Sequence, residues 1–395
     1  MVTVQEATDL ISQFLFDTAI VEVDFEKSVG YMLAEDICAD RDFPPFNRVM
    51  MDGIAINFDS WKSGIKSFPI AGIQTAGMAP LTLDDKAKCL EVMTGAMLPQ
   101  HTDTVIRYED IEVVDGIATI TMEDVVKAQH VHSQGSDRLE GSTIIPAGRF
   151  IRPAEIAILA TVGKSKVKVK KLPSVAIIST GDELVDVEVW PELHQIRRSN
   201  NYALFTELKK MHIEAEMFHL NDDKEELLEA LKKIGERFDV ILLSGGVSKG
   251  KKDYVPWALD EMGVEKVFHR VKQRPGKPFW FGRNSKNFVF AFPGNPVSTF
   301  MCYHKFFLPW LNKSLGHQQK LEYARLKEDF EFMPDLVYFL QVVLDSDEEG
   351  VSYATPVPGH GSGDLANLTD AEAFMELPTG KNLFYKNEVY PIIRY

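Results

Sequence analysis

Apolar residues recur at helical spacing near the start of the chain. Val4, Ala7, Leu10, Ile11, Phe14 and Leu15 predict an amphipathic helix over 3–18. The pattern breaks at Asp42-Phe43-Pro44-Pro45-Phe46, where two prolines force turn or extended backbone. From Met51 to about Val131 the runs are short and alternating, as in 54–56, 105–108 and 117–121. Gly and Asp punctuate them, which predicts a small β-rich unit. Residues 153–162 read as a helix with Pro153 in its first turn and Gly163 as its stop.

The character changes at Val175-Ala176-Ile177-Ile178-Ser179, a continuous apolar run followed by Thr180-Gly181-Asp182. A helix is predicted around 200–211, a strand near 213–218, a charged helix at 222–237 and a buried strand at 240–244. A further strand, 288–291, precedes an apolar helix at 299–311. Buried strands alternating with helices predict a doubly wound, mostly parallel α/β sheet. Such sheets bind ligands beyond the carboxyl ends of their strands. After about Leu315 short strands return, as in 337–343 and 390–393, and predict a small C-terminal β domain.

Length and charge narrow the classes. A chain of 395 residues with 45% apolar content suits several folded domains. Acids outnumber bases by 58 to 43, a net charge of −15, which argues against broad nucleic-acid binding. Cys38, Cys89 and Cys302 are scattered, with no disulfide frame and no CxxC metal site. The N-terminus lacks signal-peptide character, and no apolar run reaches the length of a membrane span. The expectation is a cytoplasmic protein that engages neither membrane nor nucleic acid.

Three loops carry candidate chemistry. Ser244-Gly245-Gly246-Val247-Ser248 leads into Lys249, Lys251, Lys252 and Asp253; its glycines allow backbone N–H groups to cradle an anion. Arg274-Pro275-Gly276-Lys277-Pro278 is a stiffened loop with two cations suited to phosphate or carboxylate. Pro293-Gly294-Asn295-Pro296-Val297-Ser298 follows a strand and opens a helix, a favourable place for an anion. Ser179, Thr180 and Gly181 end another strand. Oxygen ligands for a hard cation such as magnesium could come from Asp182, Glu183 and Asp253. Asp222 reads as the N-cap of the helix after it. His194, His219, His304 and His360 show no ligand spacing and read as structural or surface residues.

Together these segments resemble the molybdopterin molybdenumtransferase family, the MoeA and gephyrin E-domain group. The matching stretches are PPFNRVMMDGIAI (44–56), MTGAMLPQHTDTVIRYED (93–110), IISTGDELV (177–185), SNNYAL (199–204), LLSGGVSKGKKDY (242–254), RPGKPFWFG (274–282) and FPGNPVSTF (292–300). GHGSGDLANL (359–368) resembles the family's C-terminal glycine loop. The resemblance implies a homodimer of four-part subunits. These parts are an extended helical part (1–43 with 140–171), a β-rich domain (44–139), an α/β domain (172–315) and a small β-barrel (316–395). It also implies that molybdate is inserted into adenylylated molybdopterin with magnesium, releasing AMP and molybdenum cofactor. An adenylyltransferase partner would supply the substrate. The cleft would lie between the α/β domain of one subunit and parts of the other.

Asp52, Asp137, Glu183, Asp223 and Asp253 match the family's acidic positions, Thr94 matches its TGA motif, and Arg274 and Lys277 match its cations. Three departures add positive charge or remove acid: Asn47-Arg48-Val49, the lysines after the double glycine, and Arg198 where an acid is usual. The expected site is one electropositive pocket joining 245–248, 274–277 and 292–296. A gephyrin-like scaffold and an adenylyl-transferring enzyme are the alternative readings, whereas a nicotinamide dehydrogenase is disfavoured because no GxGxxG opens a helix after a first strand.

Overall fold

The computed structural model describes residues 1–247, 253–317, 320–357 and 359–395. Among them, three six-stranded sheets carry the architecture. The central sheet runs in the order Ala215–Leu220, Val175–Thr180, Val240–Ser244, Phe288–Phe292, Trp280–Arg283, Glu265–His269. The first four strands are mutually parallel, and Trp280–Arg283 is antiparallel to its neighbours.

Strand alternation builds two cores from one sheet. Val175, Ile177, Val240 and Leu242 pack on the face covered by Leu204 and Leu208 of helix Asn200–Lys210. Ala176, Ile178, Ile241 and Leu243 pack on the other face, under Leu227, Leu231 and Ile234 of helix Lys224–Arg237. This explains the unbroken apolar runs, since a strand covered on both sides has no polar face. From Val175–Thr180 the chain moves to one side for Ala215–Leu220, then crosses back for Val240–Ser244. Strand order therefore reverses between 175–180 and 240–244, and a crevice opens at their carboxyl ends.

The N-terminal helix is shorter than its periodicity predicts, spanning Val4–Ser12. Thr3 and Glu6 form a reciprocal cap at its start. Beyond Ser12 the backbone is captured by other partners: the Phe14 carbonyl accepts from Trp310 Nε1 at 2.6 Å, and the Phe16 N–H donates to Ser314 Oγ at 3.1 Å. Val4, Ala7 and Ile11 bury into the α/β core, so this helix belongs to that body. The rest of the part expected to be helical is mainly strand pairs, Ile20–Asp24 with Lys166–Lys170 and Ile37–Cys38 with Thr143–Ile145, plus helix Pro153–Thr161.

The apolar helix expected at 299–311 is one run over 296–315 containing a π-turn at Tyr303–Phe307. Pro309 has no N–H to continue the i→i−4 ladder, which explains a wider turn just before it.

The β-rich domain orders its strands Thr104–Arg107, Gly53–Ile56, Cys89–Val92, Ser67–Gln74, Ile117–Ile120, Ile111–Val114. The C-terminal sheet closes on itself because Val337–Ser346 pairs with both Ser352–Pro356 and Ala373–Leu377. It also recruits Gln273–Arg274 from the α/β body as a parallel partner of Val337–Tyr338.

Candidate active site

A cleft of about 430 Å³ opens at the crevice where strand order reverses. Its floor is made by the ends of two neighbouring strands, Ser179-Thr180-Gly181 and Ser244-Gly245-Gly246. Gly294, Asn295 and Pro296, beyond the third strand, complete one wall. Gly245 and Gly246 take φ of +102° and +66°, and a Cβ on Gly245 would lie 2.8 Å from the Thr180 carbonyl. Only glycine lets these two loops approach so closely.

Asn200 ties the loops together. Its Nδ2 lies 2.7 Å from Ser244 Oγ, 2.7 Å from the Gly294 carbonyl and 3.2 Å from Thr299 Oγ1. Asn295 Nδ2 donates to Ser362 Oγ at 2.7 Å, which brings the C-terminal glycine loop to the rim, where Gly363 lines the cleft.

Three buried polar atoms of this wall have no hydrogen-bond partner among the described residues: Thr180 Oγ1, Asn201 Oδ1 and Arg198 Nε. Buried orphans cost stability, and three of them on one cleft wall fit a ligand-binding surface. Ser179 is occupied, packed against His219 Nδ1 at 3.1 Å and receiving Asn201 Nδ2 at 3.3 Å. Burial, and then the charge of Arg198, lowers the pKa of His219 and favours a neutral imidazole.

The carboxylates separate by role. Glu183 lines the cleft, folded back so that a Cβ on Gly181 would meet its Oε2 at 2.6 Å. Asp222 and Asp253 line it as well. Asp182 lies behind them and accepts the Asp222 N–H at 3.0 Å. The capping assignment moves by one residue: helix Lys224–Arg237 is capped by Asp223, whose carboxylate accepts the Glu226 N–H at 2.9 Å, while Asp222 faces the cleft. Among the described residues no group of three or more acids, histidines or cysteines forms a ready-made metal cage. The acids at the cleft nevertheless offer oxygen donors only, a set that suits magnesium, which keeps waters and leans on one or two carboxylates plus substrate phosphates.

The expected convergence of all three loops is only partly met. The strand pairing that draws Gln273–Arg274 onto the barrel carries that loop away from the cleft. Arg274 instead lines an adjoining hollow of about 140 Å³ with Tyr338, His360 and Ser362, beyond the Asn295–Ser362 bridge. Gly276 is packed inside, where a Cβ would meet Cys302 Sγ at 2.6 Å, and Lys277 is exposed outside the cleft lining. Val247 turns into the core and its carbonyl accepts from His269 Nε2 at 2.9 Å. Pro293 and Ser298 are buried supports of the helix start. Ser248, Lys249, Lys251 and Lys252 lie outside the described residues. The cations that line the cleft are Arg197 and Arg198, against Glu183, Asp222 and Asp253, so the described wall is mixed in charge rather than electropositive.

Asp52, Thr94 and Asp137 sit on the β-rich domain and do not line this cleft within one chain. Asp52 accepts the Thr94 N–H at 2.6 Å and the Thr94 hydroxyl at 2.7 Å, which hold its carboxyl below the usual range. Asp137 is 2.8 Å from His132 Nε2, and Arg48 Nη2 lies 2.9 Å from His132 Nδ1. An arginine can only donate, so Nδ1 accepts and the proton sits on Nε2, facing Asp137.

Asn200 and Asn201 were visible within SNNYAL, yet only the folded chain reveals their contacts. The same holds for Arg198, paired with Asp186, and for Asp222, which meets Asp182 from farther along the chain.

Residues 2–163 match the model of the MoeA N-terminal region (domain I and II), 176–313 that of a "probable molybdopterin binding domain", and 323–393 that of the MoeA C-terminal region (domain IV). The chain is 38% identical to a molybdopterin molybdenumtransferase of Synechocystis sp. over 395 residues, covering 99% of both. It is 28% identical to one of Staphylococcus epidermidis, covering 99% of this chain and 95% of that one. A crystal structure of a molybdopterin biosynthesis MoeA protein from Pyrococcus horikoshii aligns with TM-score 0.83 and 26% identity over 100% of both chains. The motifs, the matched family regions and these full-length likenesses agree: the chain belongs to the molybdopterin molybdenumtransferase family.

Proposed function

We propose that this chain inserts molybdate into adenylylated molybdopterin, releasing AMP and molybdenum cofactor. The observation that carries this reading is the cleft where strand order reverses, with two glycine-bearing loops in contact and orphaned donors and acceptors on its wall.

Backbone N–H groups at 245–246 and 294–295 receive the phosphates of the nucleotide-linked pterin, where glycine permits close approach. The Thr180 hydroxyl gains a partner when the ligand enters. Asn200 keeps the two loops at fixed separation. Glu183 and Asp253, backed by Asp182, would hold magnesium, which when bound draws charge from the phosphoryl oxygens. Most of the rate gain then comes from positioning and charge balance. A cysteine nucleophile has no place in this scheme: Cys302 is buried with its thiol pKa pushed up, burial pushes that of Cys89 to about 12, and exposed Cys38 lies outside the cleft lining.

Asp52, Thr94 and Asp137 act from the partner subunit of a homodimer, whose β-rich domain closes the cleft. The enzyme works in the cytoplasm, receiving its substrate from an adenylyltransferase. Incubation with adenylylated molybdopterin, magnesium and molybdate tests the reading, followed by AMP measurement and reconstitution of an apo-molybdoenzyme. AMP release that requires molybdate is expected; its absence favours a scaffold, and release without molybdate argues against coupled insertion. Asp253→Ala is expected to lower cofactor formation about 100-fold or more with an unchanged melting temperature. Turnover at the wild-type level in that variant would refute the role of Asp253.

A further inference from the structure

Arg197 and Arg198 are consecutive but differ in role. Arg197 is exposed, donates from Nε to the Val189 carbonyl at 3.1 Å, and sits over the Trp190 ring with its guanidinium carbon 5.6 Å from the centroid. Arg198 lies at the inner side of the same segment, with a side chain only 19% exposed. One of its terminal nitrogens is held by Asp186 Oδ2 at 2.5 Å, and Tyr202 donates to the other oxygen of that carboxylate at 3.3 Å. The Arg198 backbone N–H is fixed on the Val185 carbonyl at 3.0 Å. Its Nε is buried and has no partner among the described residues.

The charges around Arg198 make its place informative. Glu183, Asp222 and Asp253 line the same cleft, so its described wall sets acids beside the two arginines. Both arginines line the cleft, but the Arg197 guanidinium is engaged by the Val189 carbonyl and the Trp190 ring, which leaves Arg198 as the more buried cation of the described wall. Asp186 takes only part of a planar five-donor fork, a group whose geometry matches a tetrahedral oxyanion.

We infer that Arg198, oriented by Asp186, is the residue that selects and holds the free oxyanion substrate, a molybdate dianion, in this cleft. The inference rests on the proposed transferase reading. The nucleotide-linked pterin is large and anchored at many points, so losing one cation changes its binding little. A small dianion makes few contacts, and losing its fork removes much of its binding.

The test measures AMP release against molybdate and, separately, against adenylylated molybdopterin, for the wild type, R198Q, R198K and D186N. Binding of molybdate alone is followed by equilibrium dialysis. R198Q is expected to raise the KM for molybdate about tenfold or more and to weaken free molybdate binding equally, with the pterin KM within about twofold. R198K keeps the charge but loses the fork, and D186N releases it; each is expected to raise the molybdate KM about threefold. An unchanged molybdate KM in R198Q, or an equal rise for both substrates, would overturn the assignment. If R198Q does not fold, as judged by melting, an unchanged molybdate KM in R198K overturns it instead. A wild type that binds molybdate without turning over contradicts the transferase reading alone, and loss of that binding in R198Q still supports Arg198.

Discussion

Asn200 offers two amide hydrogens to acceptors on three segments: Ser244, Gly294 and Thr299. It therefore sets the spacing between the loops that receive phosphate. Asn200→Ala is expected to leave those acceptors poorly satisfied and cost about 1–2 kcal/mol of stability. The pterin KM should rise about tenfold as the loops part. Thermal melts and steady-state kinetics check this, and a variant with native melting and native KM would show that the loops hold without it. Residues of this kind were only half legible in the sequence. Gly245 and Gly294 could be read because apolar strands precede them and a turn must follow. Asp222 and Asp223 could not be told apart, because a one-residue shift in helix start decides which caps and which faces ligand. Gly276 looked like part of an anion loop, but its small size serves packing against Cys302.

At the scale of elements, helix Pro153–Thr161 shows how charge fixes a local structure. Glu155 at its N-terminus accepts from Arg149 Nε at 2.9 Å, and from the backbone and side chain of Arg152 at 2.9–3.1 Å. Hydrogen bonding from Arg152, opposed by burial, lowers its pKa from 4.5 to about 2. A lowered carboxylate pKa stabilises the fold above the unfolded value, and that stability is lost as pH falls from about 4.5 towards 2. Glu155→Gln is expected to destabilise by on the order of 2 kcal/mol at neutral pH, and by less towards pH 2. Denaturant melts across that range would show the gap closing; a constant gap would contradict the linkage. The helix was readable from Pro153 and Gly163, whereas its charge lock draws on Arg149 in the preceding loop. The shortened first helix has the same kind of cause, since Trp310 and Ser314 claim backbone groups that its own periodicity would have used.

Across the whole molecule, the α/β body, the β-rich domain and the closed C-terminal sheet have their own buried clusters. The alternation of buried strands and helices made the α/β body legible, because each run follows from burial on two faces. The placement of Arg274 was not legible: its strand joins the barrel through pairing with Val337–Tyr338, more than sixty residues away in sequence. Nor could spacing show that Asp52 and Asp253 occupy separate regions of one chain. The cleft carries Asp253 while Asp52 sits elsewhere on the same subunit, and only in the proposed homodimer would the partner's β-rich domain bring Asp52 to it.

A mixed dimer tests that claim most directly. D52A and D253A chains, co-expressed with different tags and purified as the heterodimer, would pair both lesions in one site and leave the other intact. The expected rate of molybdate-dependent AMP release is about half that of the wild type, with both parent homodimers inactive. A heterodimer no more active than its parents, with each chain folded, would contradict a site shared between subunits.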